Sequence, residues 1–211
     1  MAERASYRPS EQTRHSILKA ATHLFADRGF EGTTIRAIVT KARVNQAAIT
    51  YHFDGKDGLY REVLSVAAAA FARDETDAGD DATLPREEAL RRFVGEQLRP
   101  LLGRDEVSRF IRIFAWESVR PSKVLRQFMA SNAPPLMGRA TGLVRRFLPP
   151  GTSDHDALCG AIWLIGQCSV FVRNREHFTQ PPFGLKVNDG FVEHLADFIT
   201  GLALRGLSRG A

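Results

Sequence analysis

Apolar residues recur at helical spacing through most of the chain. Ile17, Leu18, Ala21, Leu24 and Phe25 form one stripe, which predicts a first helix that begins after Ser10 and ends at Gly29. The same spacing returns repeatedly after Pro85. No segment alternates apolar and polar residues as a half-buried strand would. The pattern therefore predicts an all-α protein.

Residues 33–53, TTIRAIVTKARVNQAAITYHF, predict two short helices joined by a turn. Thr33 is expected to cap the first helix, because its hydroxyl can accept unpaired N–H groups at a helix start. The apolar spacing breaks after Ala42, which marks the turn. Asn45 supplies a second capping oxygen, and Ile49 and Phe53 are four positions apart on the side that buries.

The opposite side of the second helix is polar or small, with Gln46, Ala47, Thr50 and Tyr51. Short side chains let a helix approach base edges in a DNA groove. His52 follows, and Lys56 stands near the start of the next helix. Such hydrogen-bonding groups suit phosphate oxygens.

These pieces together resemble the DNA-binding domain of the TetR family of transcriptional regulators. The similarity covers about the first 65 residues, through SILKAATHLFADRGFEGTTIRAI, the YHF triplet and GKDGLY. It implies that the recognition helix reads the major groove and that Thr33, Tyr51, His52 and Lys56 contact the DNA backbone. The candidate DNA-binding residues are Thr33, Thr34, Arg43, Asn45, Gln46, Ala47, Thr50, Tyr51, His52 and Lys56.

Two residues depart from the family pattern. The family usually has Gly in the turn where this chain has Arg43, and usually an aromatic residue at the position of Thr50. Arginine adopts positive φ at a cost, so a slightly reshaped turn is expected. The ITYHF form instead resembles a CerR-like branch, and so does the run WESVRPSKVLRQF.

The chain divides into an N-terminal unit and a larger C-terminal one. We expect a three-helix helix-turn-helix DNA-binding domain over residues 1–55 and a connecting helix over 56–73. An acidic, exposed linker is expected over 74–88. Residues 89–211 would then form a helical effector-binding and dimerisation domain.

The last two predicted helices carry unusually large apolar surfaces. Ser153 and Asp156 have capping-box spacing and open a helix to about Glu176, and another runs from about Asn188 to Leu207. Their apolar residues belong to the monomer core, to a subunit interface, or to both. The TetR resemblance implies a homodimer that pairs through these two helices in a four-helix bundle.

Aromatic residues with a few polar neighbours indicate a small-molecule pocket in the larger domain, although aromatics at helical spacing are more often ordinary core. The candidates are Phe110, Phe114, Trp116, Glu117, Phe128, Trp163, Gln167 and Phe171. Glu117 would need a partner if it were buried, and a salt bridge to Arg112 or Arg120 is the expected arrangement.

Charge gives weak support to a nucleic-acid partner. The formal net charge is +5, and the first 61 residues hold 10 Lys and Arg against 6 Asp and Glu. Arg4 and Arg8 lie in an N-terminal arm that could follow the DNA backbone or enter a minor groove, or could simply be a frayed terminus.

Other classes of protein find little support. The six His and two Cys form no metal-ligand spacing, and no phosphate loop or nucleophile motif appears, so no enzyme, metal or cofactor is expected. Cys159 and Cys168 are too far apart on one helix for a disulfide and are expected to be reduced core thiols. The longest apolar run is shorter than a membrane span, and no secretory signal is recognised, which indicates a cytoplasmic protein.

The sequence therefore predicts a homodimeric regulator that binds double-stranded DNA at a palindromic operator. Within the family this is usually a repressor, released by a small-molecule effector that the sequence does not identify. The alternative is a weakly specific architectural DNA-binding protein whose C-terminal domain only dimerises.

Overall fold

The computed structural model describes residues 3–77, 83–103, 105–131 and 135–207. These ranges contain eleven α-helices and no strand, which confirms the predicted all-α fold. The helices are α1 (Glu3–Arg28), α2 (Ile35–Ala42), α3 (Ala47–Phe53), α4 (Lys56–Asp77), α5 (Arg86–Leu98), α6 (Glu106–Glu117), α7 (Lys123–Ser131), α8 (Pro135–Arg145), α9 (Asp154–Arg173), α10 (Arg175–Thr179) and α11 (Asp189–Leu207).

Helix ends differ from the prediction at three places. The expected N-terminal arm is helical from Glu3, so Arg4 and Arg8 lie within α1. Helix α4 extends to Asp77 and α5 begins at Arg86, which shortens the expected linker from both sides. Residues 78–82 of that linker lie outside the described residues.

The N-terminal unit packs α1, α2, α3 and the first half of α4 around one apolar core. Phe25 and Tyr60 meet edge to face at a ring distance of 4.6 Å. Arg14 on α1 and Glu62 on α4 form a salt bridge of 2.6 Å at the surface. The fully buried members of this core from the N-terminal helices include Ile17, Phe25, Ile38, Ile49, Leu59, Tyr60 and Leu64.

A second core holds the larger domain together. It is built from α5, α8, α9 and α11, and Phe93 and Leu164 are among its fully buried side chains. Helix α9 lies between α5, α6 and α8 and buries a line of residues three or four positions apart. That line is Ala157, Ala161, Leu164, Cys168 and Val172.

The two units share side chains where they meet. Ile113 from α6 and Val124 and Leu125 from α7 belong to the core of the N-terminal unit. Helix α4 packs against both α6 and α7. Because apolar contacts continue across this junction, a shift of α6 or α7 also disturbs the packing around α4.

Candidate DNA-binding surface and inner cavity

The first helix of the predicted pair is capped by Thr34 and not by Thr33. The Thr34 hydroxyl accepts the N–H of Ala37 at 3.1 Å. Thr33 is fully buried, and its hydroxyl donates to the carbonyls of Leu24 and Gly29 at 3.1 and 2.8 Å. The predicted roles of Thr33 as cap and DNA contact are therefore corrected, because its hydroxyl ties the α1–α2 loop to the end of α1.

Arg43 ends α2 in the left-handed conformation, with φ 57° and ψ 46°. The turn therefore keeps the positive φ that glycine usually supplies, and arginine bears the strain of this conformation. Two residues later the Asn45 side chain accepts the N–H of Ala48 at 3.0 Å, as expected of a capping residue. The turn thus fixes where α3 begins.

Helix α3 has two distinct sides. Ile49 is fully buried and Phe53 nearly so, as the spacing predicted. Gln46, Ala47, Thr50 and Tyr51 are exposed, and Tyr51 is 80% exposed. We call these four residues the α3 ridge. No part of the described chain covers the ridge, so it is free to enter a groove.

The junction of α3 and α4 depends on backbone shape. Asp54 and Gly55 both adopt positive φ, at 57° and 95°. Gly58 lies so close to the end of α3 that a Cβ there would stand 1.8 Å from the carbonyl oxygen of Phe53. Glycine at position 58 therefore sets the angle between the two helices. This role was not predicted, although Gly58 is part of the GKDGLY motif.

Lys56 begins α4 with its ammonium 4.1 Å from the centre of the Phe30 ring. Partial burial lowers the pKa of Lys56 from its ordinary value. The Tyr51 and His52 rings meet edge to face at 4.9 Å at the end of α3. Apart from Thr33, every predicted DNA-binding residue is exposed or half-buried, as a groove or phosphate contact requires.

Glu117, at the end of α6, is buried but has no arginine partner among the described residues. Its Oε1 accepts the Tyr60 hydroxyl at 2.7 Å, and its Oε2 accepts the Ser122 N–H at 2.5 Å. Arg112 instead donates to backbone carbonyls, and Arg120 is exposed, so the expected salt bridge is wrong. Burial, and then the hydrogen bond to Glu117, raise the pKa of Tyr60 above its ordinary range.

Glu117 also borders an inner cavity of about 260 Å³ between α4 and α9. Four of the eight predicted pocket residues line it: Phe110, Phe114, Glu117 and Phe128. The remaining lining residues are Ala68, Gln97, Ile111, Ala115, Ser118, Pro121, Leu125, Met129, Leu136, Met137, Ile165, Cys168 and Ser169.

The other four predicted pocket residues do not line this cavity. Trp116 turns toward the N-terminal unit, where its indole N–H donates to the Ala26 carbonyl at 3.2 Å. Trp163 is 43% exposed, and the Gln167 side chain donates to the Trp163 carbonyl on the same helix. Phe171 packs on the larger core and lies 5.6 Å from the ring of Phe178.

Gln97 was missed as a cavity residue. It is 2% exposed, and its Nε2 has no hydrogen-bond partner among the described residues. The sequence carried a signal, because Gln97 lies three positions after Val94 and directly before Leu98, two apolar residues of α5. Cys168 is a second missed residue, and burial raises the pKa of its thiol to about 12.

A separate apolar face lies on α9 and α11. Nine large hydrophobic side chains are exposed in the described residues, and five of them are on these two helices. We call those five the α9–α11 face: Leu158, Ile162, Trp163, Phe198 and Leu202. Cys159 lies beside this face and is exposed, which corrects its expected place in the core. By length and composition alone, α9 is also the single described helix that could cross a membrane.

Comparison with known proteins finds matches for two separate parts of the chain. Residues 17–63 match the model of bacterial regulatory proteins of the tetR family. Residues 86–206 match the C-terminal domain of the HTH-type transcriptional dual regulator CecR. The chain belongs to the TetR family. It is therefore a DNA-binding transcriptional regulator. The members of this family are regulators and not enzymes. The C-terminal match is to CecR, which supports the expected CerR-like branch only loosely.

Three similar proteins each cover at least 90% of the chain. The HTH-type transcriptional repressor NicS of Pseudomonas putida is 31% identical over 208 residues, covering 95% of this chain and 94% of NicS. A TetR-like regulator from Rhodococcus sp. RHA1 has the same fold, with a TM-score of 0.62 at 21% identity over 93% of this chain and 96% of its own. AibR, solved with isovaleryl coenzyme A and operator DNA, gives 0.64 at 18% identity, covering 90% and 97%.

Proposed function

We propose that this TetR-family regulator is a homodimeric repressor in the cytoplasm that leaves its operator when a small molecule enters the inner cavity. The observation that carries the proposal is the exposed α3 ridge opposite a fully buried Ile49. A short helix that packs on the core with one side can insert its exposed side into the major groove. The palindromic operator follows from pairing two such helices.

The α9–α11 face supports pairing between two copies of the chain. Five exposed large hydrophobic side chains on two contacting helices are costly in water, and a symmetric partner would bury them. One seven-residue recognition helix makes few base contacts, whereas two held about 34 Å apart read both halves of a palindrome. Dimerisation therefore supplies the specificity that a single α3 lacks.

The position of the cavity supports release by an effector. Ala68 of α4 lines it, and Glu117 in its wall accepts a hydrogen bond from Tyr60 of the same helix. A ligand changes DNA affinity only if it binds the DNA-competent and DNA-incompetent arrangements differently. A ligand that shifts α6 or α7 would tilt α4 and change the distance between the two recognition helices.

The test compares an inverted repeat taken from DNA beside the coding region with a scrambled duplex of equal length. Fluorescence anisotropy at several salt concentrations should show binding to the repeat at least about 1,000-fold tighter than to the scrambled duplex. Equal affinities with the same steep salt dependence would instead identify a weakly specific architectural protein. Light scattering on the free protein and on the complex should give two chains in each.

A further inference from the structure

Gln97 lines the cavity and carries a buried amide donor that a ligand could satisfy. The buried Nε2 of Gln97 has no partner among the described residues. Leaving a buried amide donor unpaired costs free energy, and an acceptor on a bound molecule would recover it. Gln97 therefore favours a ligand that carries a hydrogen-bond acceptor.

The carboxyl and hydroxyl groups of the wall are already engaged. The two oxygens of Glu117 accept from Tyr60 and Ser122. The Ser118 hydroxyl donates to the Ala115 carbonyl at 2.8 Å, and the Ser169 hydroxyl donates to the Gly166 carbonyl at 3.2 Å. The ligand consequently has one polar requirement to meet, at Gln97.

Charge restricts the ligand further. None of the residues that line the cavity in the described chain is Lys, Arg or His, and Glu117 is the one acidic residue among them. An anion there would be desolvated without a cation to pair with it and would lie near a buried carboxyl group. Carboxylates and phosphates are therefore excluded.

The shape of the wall suggests a flat molecule. Phe110 and Phe114 meet edge to face with a ring distance of 4.6 Å, and Met129 and Met137 contribute adaptable thioethers. Because a cavity of about 150 Å³ accommodates benzene, the present volume of about 260 Å³ suits roughly ten non-hydrogen atoms.

We propose that the cavity takes an uncharged, flat, largely apolar molecule with one acceptor, such as a ring nitrogen or a carbonyl, which receives the Gln97 side-chain N–H. The identification of this molecule as the effector rests on the proposed function. Its binding to the cavity is measured on the free protein, so the two ideas are tested separately.

Quinoline and naphthalene form a matched pair of probes, since they share a shape and only quinoline has a ring nitrogen acceptor. Titration calorimetry at pH 8 should give about five- to tenfold tighter binding for quinoline. The 2-naphthoate anion should bind at least about tenfold more weakly than naphthalene. A naphthylmethylammonium cation should also bind more weakly than quinoline, because it has no acceptor for Gln97.

Two variants assign the binding to this site. Gln97→Leu should remove the preference for quinoline while naphthalene still binds, and Gln127→Leu, on the exposed side of α7, is the control that should keep the preference. Ala115→Leu places a larger side chain in the cavity and should abolish binding of both probes. Ile165→Phe fills the same cavity from α9 if Ala115→Leu does not fold.

The outcomes separate the two proposals. Equal affinities for quinoline and naphthalene, tighter binding of the anion or the cation, or no binding of any probe would overturn the ligand class while operator binding stood. A quinoline preference that survives Gln97→Leu would overturn the role of Gln97. If quinoline binds as described but the protein shows no preference for an operator, the proposed function fails and the cavity assignment holds.

Discussion

The hydroxyl of Tyr60 lies 2.7 Å from Oε1 of Glu117, and this hydrogen bond joins the helix that leaves the DNA-binding unit to the wall of the cavity. Tyr60 is fully buried against Phe25 and Phe30, so its ring belongs to the core that supports α3. Glu117 thus connects two regions that are remote in sequence. Neither region can move without changing the environment of a buried carboxyl group.

Tyr60→Phe should destabilise the protein by about 1–3 kcal/mol, because the buried Glu117 carboxyl group loses a hydrogen-bond donor. Urea unfolding measures the change, and Tyr51→Phe, at an exposed position, should leave stability unaltered. A double-mutant cycle with Glu117→Gln should give a coupling free energy of about 0.5–3 kcal/mol. Strictly additive effects would show that the hydrogen bond contributes nothing to stability.

Gly58→Ala should destabilise the protein by about 1–3 kcal/mol, because the new methyl group would overlap the Phe53 carbonyl and push α3 from α4. Operator affinity should fall with it, since the α3 ridge would be reoriented. Gly95→Ala on α5 is the matched control. Nothing lies within 4 Å of its added Cβ, so it should gain about 0.5–1 kcal/mol from helix propensity. Thermal unfolding and anisotropy on both variants check this, and wild-type stability in Gly58→Ala would contradict it.

Arg43→Gly should raise the free energy of unfolding by about 0.5–1 kcal/mol, because glycine relieves the strain of the left-handed conformation at φ 57°. The gain is limited because glycine loses more backbone freedom on folding than arginine does. Operator binding should weaken, and its salt dependence should fall by the equivalent of about one phosphate contact. Arg43→Ala separates the two effects, since it removes the charge and keeps the strain. A gain in stability for alanine equal to that for glycine would argue against strain at this turn.

The sequence was informative where one residue type serves one local purpose. The buried and exposed sides of α3 followed from the spacing of Ile49 and Phe53, and the capping role of Asn45 followed from its position after a break. Both depend on neighbours within a few residues. The adjacent threonines could not be distinguished, because the choice of Thr34 as cap depends on where the carbonyls of Leu24 and Gly29 lie.

The cavity was harder to predict, because its wall depends on contacts between distant helices. Trp116 and Glu117 are neighbours in sequence, yet one contacts the N-terminal unit and the other faces the cavity. The tyrosine partner of Glu117 is 57 residues away on another helix. The salt bridge was predicted to arginines that are near Glu117 in the sequence, but closeness in sequence does not show which side chains are in contact.

Phe198→Glu should disrupt the proposed dimer, because each of two symmetric copies would bring an unpaired carboxylate into an apolar interface. The dimer dissociation constant should rise at least about 30-fold, corresponding to roughly 2 kcal/mol. Val119→Glu is the control, since Val119 is 59% exposed, comparable with 53% for Phe198, but lies outside the α9–α11 face. Sedimentation equilibrium measures both. Dissociation by the control alone would place the interface elsewhere.

Gln46→Ala and Lys56→Ala should weaken DNA binding in different ways. Gln46 stands at the start of the α3 ridge, where its amide can pair with a base edge. Removing this amide should therefore cost about 1–3 kcal/mol of binding free energy on the native site and relax the preference at particular base pairs. Lys56 is held against the Phe30 ring at the start of α4 and suits a phosphate, so its loss should weaken all duplexes alike.

Binding measured on a set of operator duplexes with single base-pair changes distinguishes the two patterns. For Lys56→Ala the ranking of the duplexes should match that of the wild type, with a smaller salt dependence. For Gln46→Ala the penalty should vanish at one or two positions and persist at the others. A wild-type ranking for Gln46→Ala would mean that a different part of the ridge faces the bases, and that the orientation of α3 in the groove must be redrawn around Thr50 and Tyr51.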